Sequence, residues 1–332
     1  MRNFLEGLRS RFRWRWHADG AAGTPPGRKV PWKPILGAAV LFLALYYPVG
    51  MMLAHRINDD VAYQIPAEFQ VEGGSRAVSM AAALIDREVT KTKWVANKPF
   101  IFPSSLLDNM PNFQMGLIYA VSRFAIEMTD MLGRTRGSSQ VDPDLDKASG
   151  LLKYDGTIWI WDPKTSLMPT ASAERQYVAG EKALMRYNTR VAENKAAFDR
   201  RADNLIAFIS RVEADLGSSS AILAERAIDS NAGWFDTQAD DIFYATKGRL
   251  YGYYLLLREL GIDFQPVLAE KNVESVWTQM LDSLRVAAAM HPLIVANGAN
   301  DGLIVPSHLA VQGFYLLRAR TQLREVGNIL LK

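Results

Sequence analysis

Few residues in this chain are of a type and spacing that could do chemistry. Of its four histidines, His17 and His55 border an apolar run near the start, which leaves His291 and His308 in the body of the chain. The two flank a turn-rich segment, so a hairpin over residues 293–305 would bring them toward Asp301 and offer a metal ion two imidazoles and a carboxylate. Their spacing encodes no such ligand set, and a helix end before Pro292 and a helix start after Ser307 explain both without a metal. Neither a metal nor an organic cofactor is therefore expected. Among the carboxylates, Glu127 with Asp130 one helical turn on, and Glu274 beside Ser275, are nominees for the general acid–base work of a hydrolase. Acids at that spacing are ordinary on helix surfaces, and Arg123, four residues before Glu127, points to a salt bridge instead.

Absences narrow the field further. The chain has no cysteine, which excludes thiolate nucleophiles, thiolate metal sites and disulfides. It has no phosphate-binding glycine loop, no dinucleotide fingerprint, no nucleophile elbow and no zincin helix motif. Asp142-Pro143-Asp144-Leu145-Asp146 opens like a calcium loop, but Lys147 and Lys153 stand where a glycine and a bidentate glutamate are needed. An N-cap aspartate followed by proline at the first helical position reads it better. The net charge of +3 invites a nucleic-acid reading that its distribution removes. Residues 1–33 hold eight basic and two acidic residues, so the remainder, with thirty basic and thirty-three acidic, has no electrostatic reason to seek phosphate.

The elements that must position these residues begin with residues 35–54, about twenty residues without a charge, enough to cross about 30 Å of hydrocarbon. The excess of cations before the run, against Arg56 alone just after it, places the N-terminus in the cytoplasm and the body across the membrane. A cleaved signal peptide fits less well, because the run exceeds the usual length and Met52 stands where a small residue should precede a cleavage site. In the preceding tail, Arg11, Phe12, Arg13, Trp14, Arg15 and Trp16 alternate cations with aromatics, a pattern suited to anionic headgroups.

Beyond the membrane the periodicities are helical. Ser75 caps a helix carrying Ala77, Met80, Ala81, Leu84 and Ile85, and another runs from Pro111 to Gly133. Between them, Pro99, Pro103 and Pro111 exclude regular helix, and Phe100, Phe102 and Phe113 read as a loop packed on the core. Residues 157–161 form the best strand-like run of this half. Over residues 171–217, Tyr177, Leu184, Val191, Phe198, Leu205 and Val212 recur every seven residues and predict one long helix with a heptad seam. Polar Glu181, Asn188 and Lys195 beside its first half predict an apolar line left for a second copy or another protein to cover, unless the chain covers it. Asp236 or Asp240 caps a helix that stops at Gly261, a helix over residues 267–290 follows, and Pro306-Ser307 starts the last.

The series Leu107-Asp108-Asn109-Met110-Pro111-Asn112, Gly133-Arg134-Thr135-Arg136-Gly137, Asp142 to Asp146, Asn297-Gly298 with Asp301-Gly302, and Pro306-Ser307-His308-Leu309 resembles the DUF2333 family of bacterial proteins with one N-terminal membrane segment. The resemblance covers nearly the whole chain and implies a Gram-negative inner-membrane protein, and it carries over no activity and no catalytic residues.

The fold expected is mainly α: a transmembrane helix, then a helical-bundle periplasmic domain with a long heptad-patterned helix and at most a few short strands. Its segments are a basic and aromatic tail (1–31), the anchor (32–55), a helical region with a proline-rich loop (56–170), the long helix (171–217) and a C-terminal helical region (218–332). The function expected is a scaffold or assembly factor in envelope organisation, partnered by anionic lipid at the tail and by a second copy or an envelope protein along the long helix. Two alternatives are a carboxylate-dependent hydrolase or lyase acting on an envelope polymer such as peptidoglycan, and a periplasmic adaptor of a transport system, which would carry more β-strand.

Overall fold

The computed structural model describes residues 32–135, 142–161, 167–228, 236–298 and 307–332. The chain divides into two compact units, Met1–Ala44 and Leu45–Lys332. In the first, the described residues are the opening turns of helix α1 (Trp32–Ala54), which carries no charge beyond Lys33 and buries none of its residues. It is long and apolar enough to cross a membrane. The cation–aromatic tail, Arg11 to Trp16, lies outside the described residues.

Among its described residues the second unit holds the last turns of α1 and nine further α-helices: α2 (Arg76–Ile85), α3 (Asn109–Thr135), α4 (Pro143–Leu152), α5 (Ala173–Ala192), α6 (Ala202–Ile228), α7 (Thr237–Asp263), α8 (Gln265–Glu270), α9 (Glu274–Ala288) and α10 (His308–Leu330). Local chemistry sets their starts. Ser75, Asp142, Ser172, Asp236 and Ser307 each accept a hydrogen bond from a backbone N–H of the first turn, so five helices begin on a serine or aspartate cap. The Asp142-Pro143 pair is thus a cap and a first helical residue. The proline-rich segment between α2 and α3 is a loop with one short 3₁₀ turn, Pro103–Leu106.

The centre of the bundle is α7, whose Leu250, Tyr251, Tyr253, Leu255, Leu256 and Leu257 are all fully buried, so the helix is enclosed on every side. Its closest neighbour is α3. A Cβ on Gly116 would collide with the carbonyl of Ala245, and one on Gly248 with the carbonyl of Phe113, so the two backbones meet where no side chain separates them. Gly261, expected as a stop, lies inside α7, where the missing Cβ admits the indole of Trp277.

Several expectations are corrected. The long helix over residues 171–217 is two helices, α5 and α6, because Asn194 adopts a left-handed conformation (φ 57°) just past α5, and the N–H groups of Lys195 and Ala196 both turn back to the carbonyl of Arg190. The heptad residues nevertheless all face inward: Tyr177, Leu184 and Val191 on α5, Phe198 in the connector against Phe264, and Leu205 and Val212 on α6 are buried. No apolar line is left exposed along α5. Its polar neighbour Asn188 is also fully buried, accepting from the N–H of Ser75 at 2.7 Å and donating to the Ser75 carbonyl at 3.0 Å and to Ser79 Oγ at 2.9 Å. The helix expected over residues 267–290 is likewise interrupted, by Asn272 with φ 54° between α8 and α9. The strand-like residues 157–161 form turns, and the described residues contain no strand. Of the expected hairpin over residues 293–305, an isolated bridge pairs Asn297 with Ser307, and its tip lies outside the described residues.

Candidate functional site

The carboxylates nominated from sequence are dispersed. Glu127 is buried on α3 and accepts from Arg211 Nε of α6 at 2.7 Å, while Asp130 on the same helix is exposed. The expected Arg123–Glu127 pair does not form, because Arg123 turns to Asp215 of α6 at 3.2 Å and to the Tyr119 hydroxyl. Glu274 is exposed in the first turn of α9. The histidines have separate partners. His308 Nδ1 accepts from the Ala296 N–H at 2.9 Å and is held below the usual imidazole range by burial, which suits a neutral ring at the neck of the loop. His291 is largely exposed with Nε2 2.9 Å from Asp59 Oδ2, and Asp301 lies outside the described residues. No group of three potential ligands that could hold a metal ion occurs among the described residues.

The structure instead gathers polar side chains where α1 enters the domain. The N–H of Arg56, two residues past α1, reaches Met110 Sδ at the start of α3. Asp59 follows, nearly buried, and pairs with Lys247 of α7, whose ammonium also donates to the Met290 carbonyl at 2.6 Å. Burial holds Lys247 below the ordinary lysine range, against the pull of Asp59. One and two turns back along the same face of α7 stand Tyr244 and Asp240. Asp240, Asp241 and Asp108 form an acidic group to which α3 contributes amides: Asn112 donates to Asp241 at 2.7 Å, and the Asn109 amide nitrogen faces Asp240. Burial, and then the charges of Asp108 and Asp241, push the Asp240 carboxyl up to about 6. Tyr244 is pushed up to about 12, by burial first and then by Asp240, Asp59 and Asp108.

A cleft of about 230 Å³ opens beside this group, with Asn109, Asp240, Tyr244 and the backbone-adjacent apolar residues Leu293 and Val295 in its walls. Its rear is held shut by a knot in which Asp236 caps α7, pairs with Arg226 of α6 and accepts from Asn297 at 2.9 Å. Chemically this arrangement can hold and release a proton near pH 6. A larger groove, about 450 Å³, lies between α3, the end of α4 and residues 154–156. Arg123 in its wall is already engaged by Asp215 and the Tyr177 hydroxyl donates to the Tyr154 carbonyl, while Lys153 and Asp155 stand at the α4 end, so the groove's wall on α3 is mainly apolar, formed by Met115, Ile118 and Ile126.

The family model for DUF2333, described as an uncharacterised protein conserved in bacteria, matches residues 62–332. The chain belongs to that family. Comparison with curated proteins and with solved structures gave no match. Of the motifs by which the chain resembled DUF2333, Asp108, Asn109 and Asn112 stand in the acidic group, Asp142 at the start of α4, Asn297 in the knot, and Ser307 and His308 at the start of α10, while Arg136-Gly137, Asp301-Gly302 and Pro306 lie outside the described residues. Sequence reasoning missed Asp59, Lys247 and Tyr244. The spacing of Asp240, Tyr244 and Lys247 on one helical face was the available signal, masked by the apolar residues that surround α7 on its other sides.

Proposed function

We propose that this DUF2333 protein is a bitopic inner-membrane platform whose α1 spans the bilayer with the N-terminus cytoplasmic and whose helical domain stands on the periplasmic face, acting as a scaffold or assembly factor of the envelope. The observation that carries this reading is the way the end of α1 is built into the domain. Tyr46 Oη donates to the Ile101 carbonyl at 2.9 Å, Tyr47 Oη donates to the Phe100 carbonyl at 2.8 Å, and a Cβ on Gly50 would collide with the ring of Pro103. A flexible tether would leave the domain free to tumble at the end of the helix. Here the last turns of the helix, from Leu45 on, are part of the domain. The cation–aromatic tail complements this by binding anionic lipid on the cytoplasmic side.

Affinity purification of the full-length protein from detergent-solubilised membranes tests the scaffold. Envelope proteins recovered in fixed proportion to the chain support it, and recovery of the chain alone, after cross-linking in cells, contradicts it. The enzyme alternative has one observation in its favour, the Asp240 carboxyl poised near neutrality in a cleft. Peptidoglycan sacculi digested by the wild type and left intact by Asp240→Asn would favour that alternative over the scaffold.

A further inference from the structure

We infer that the loop over residues 99–107, together with the neighbouring residues Ile160 and Trp161, is a second membrane element that enters the lipid leaflet beside α1. The inference rests on the reading of α1 as a membrane span. Four observations converge on it. The sequence Pro99-Phe100-Ile101-Phe102-Pro103-Ser104-Ser105-Leu106-Leu107 contains no charge. Its large side chains are turned outward rather than onto the core, with Phe100 76% and Ile101 53% exposed, and Ile160 and Trp161 about half exposed. Phe102 packs edge-on against Trp159, which joins the two segments into one patch. A soluble domain would bury such a group or leave it as a liability.

The third observation is position. The loop meets α1 at Tyr46, Tyr47 and Gly50, which lie eight, seven and four residues before the helix ends at Ala54. At 1.5 Å per residue the contact is therefore about 6–12 Å inside the end of the helix, at the depth of the adjoining leaflet. The fourth is the backbone. Hydrocarbon tolerates irregular chain only where its polar groups find partners within the protein. The carbonyls of Pro99, Phe102 and Ser104 accept from the N–H groups of Phe102, Ser105 and Leu107, and those of Phe100 and Ile101 accept from the two tyrosine hydroxyls. Pro99 and Pro103 bring no N–H at all. Tyrosines inside an otherwise apolar span thus have a specific task, to satisfy the loop that enters with them. The occupant of the patch is lipid acyl chain, because the loop seats on the last turns of α1, whose Val49, Met52 and Leu53 are exposed apolar residues that lipid must cover.

The absence of cysteine makes the test direct. Full-length protein carrying Ile101→Cys is labelled with the fluorophore NBD and reconstituted in phosphatidylethanolamine–phosphatidylglycerol vesicles, with and without nitroxide-labelled phospholipid. Val40→Cys, within α1, reports the span. Lys195→Cys reports water, because Lys195 is exposed and lies past the far end of α5, which is about 27 Å along the helix from Glu174, the partner of Lys98 beside the loop. The expected result is blue-shifted emission and several-fold quenching by the nitroxide lipid at Ile101, as at Val40, with neither at Lys195. Emission at Ile101 as water-like as at Lys195 overturns the inference while Val40 keeps the anchor. A blue-shifted label that nitroxide lipid fails to quench overturns it in favour of a protein cover. An unquenched label at Val40 removes the anchor reading and this inference together.

Discussion

At the scale of single residues, buried polar groups decide how the helices are keyed together. Asn188 supplies the acceptor that the Ser75 N–H needs and a second donor to its carbonyl, and the Ser75 hydroxyl in turn donates to Asp263 at the end of α7. Asn188→Ala should lower stability by about 2 kcal/mol, since it strands the buried N–H of Ser75 and removes one of the two bonds its carbonyl accepts, and chemical denaturation of the variant measures it. Asp240 acts in the opposite sense. Its folded carboxyl holds a proton up to about pH 6, above the ordinary value of 3.8, so the native chain binds more protons between those values and loses stability as pH rises through about 6. Asp240→Asn should remove that slope and stabilise the protein at neutral pH by about 1 kcal/mol, a figure reduced for solvent screening of a half-buried group, as thermal unfolding across the pH range will show. The helix caps at Ser75, Asp142 and Ser307 were legible because a cap and the N–H it serves are three residues apart or fewer. Asn188 was not, because its partners lie 109 and 113 residues away. The Arg123–Glu127 expectation failed for the same reason: spacing within α3 carries no information about the arginine and aspartate that α6 brings to them.

At the scale of elements, the heptad row shows what periodicity can and cannot say. Tyr177, Leu184 and Val191 were correctly apolar on one face of α5, yet the same spacing carried across residues 193–201, where no helix exists. The break is written locally, in an asparagine able to adopt positive φ, and the row of apolar residues obscured it. What covers the row was beyond the reach of the pattern, because α2 and α4, which pack on α5, and α10, which packs on α6, come from other parts of the chain. With the row buried inside the chain, self-association through it has no exposed surface to use. Leu184→Glu should therefore abolish cooperative unfolding, at a cost above about 4 kcal/mol, whereas a seam between copies would have left the fold intact and altered only the sedimentation coefficient. The same limit explains the loop after Pro99, which aromatic content marked as packed on the core and which instead turns Phe100 and Ile101 outward beside α1. An exposed aromatic and a buried one are the same letter in a sequence.

At the scale of the molecule, the long apolar helix α1 was the most legible feature and the site the least. A run of uncharged residues and a lopsided distribution of arginines are properties of continuous stretches, whereas the Asp59, Asp108, Asp240 and Lys247 group is assembled from three separate segments. The proposed envelope role, the partners sought for it and the proposed lipid-facing loop all require α1 to span the membrane with the domain on the periplasmic side. The measurement that tests it most directly is a pair of C-terminal fusions after Lys332, one to alkaline phosphatase, which is active only in the periplasm, and one to a fluorescent protein that matures only in the cytoplasm. The account predicts an active phosphatase and a dark fluorescent fusion, both fractionating with the inner membrane; an inactive phosphatase with a bright fluorescent fusion would contradict it.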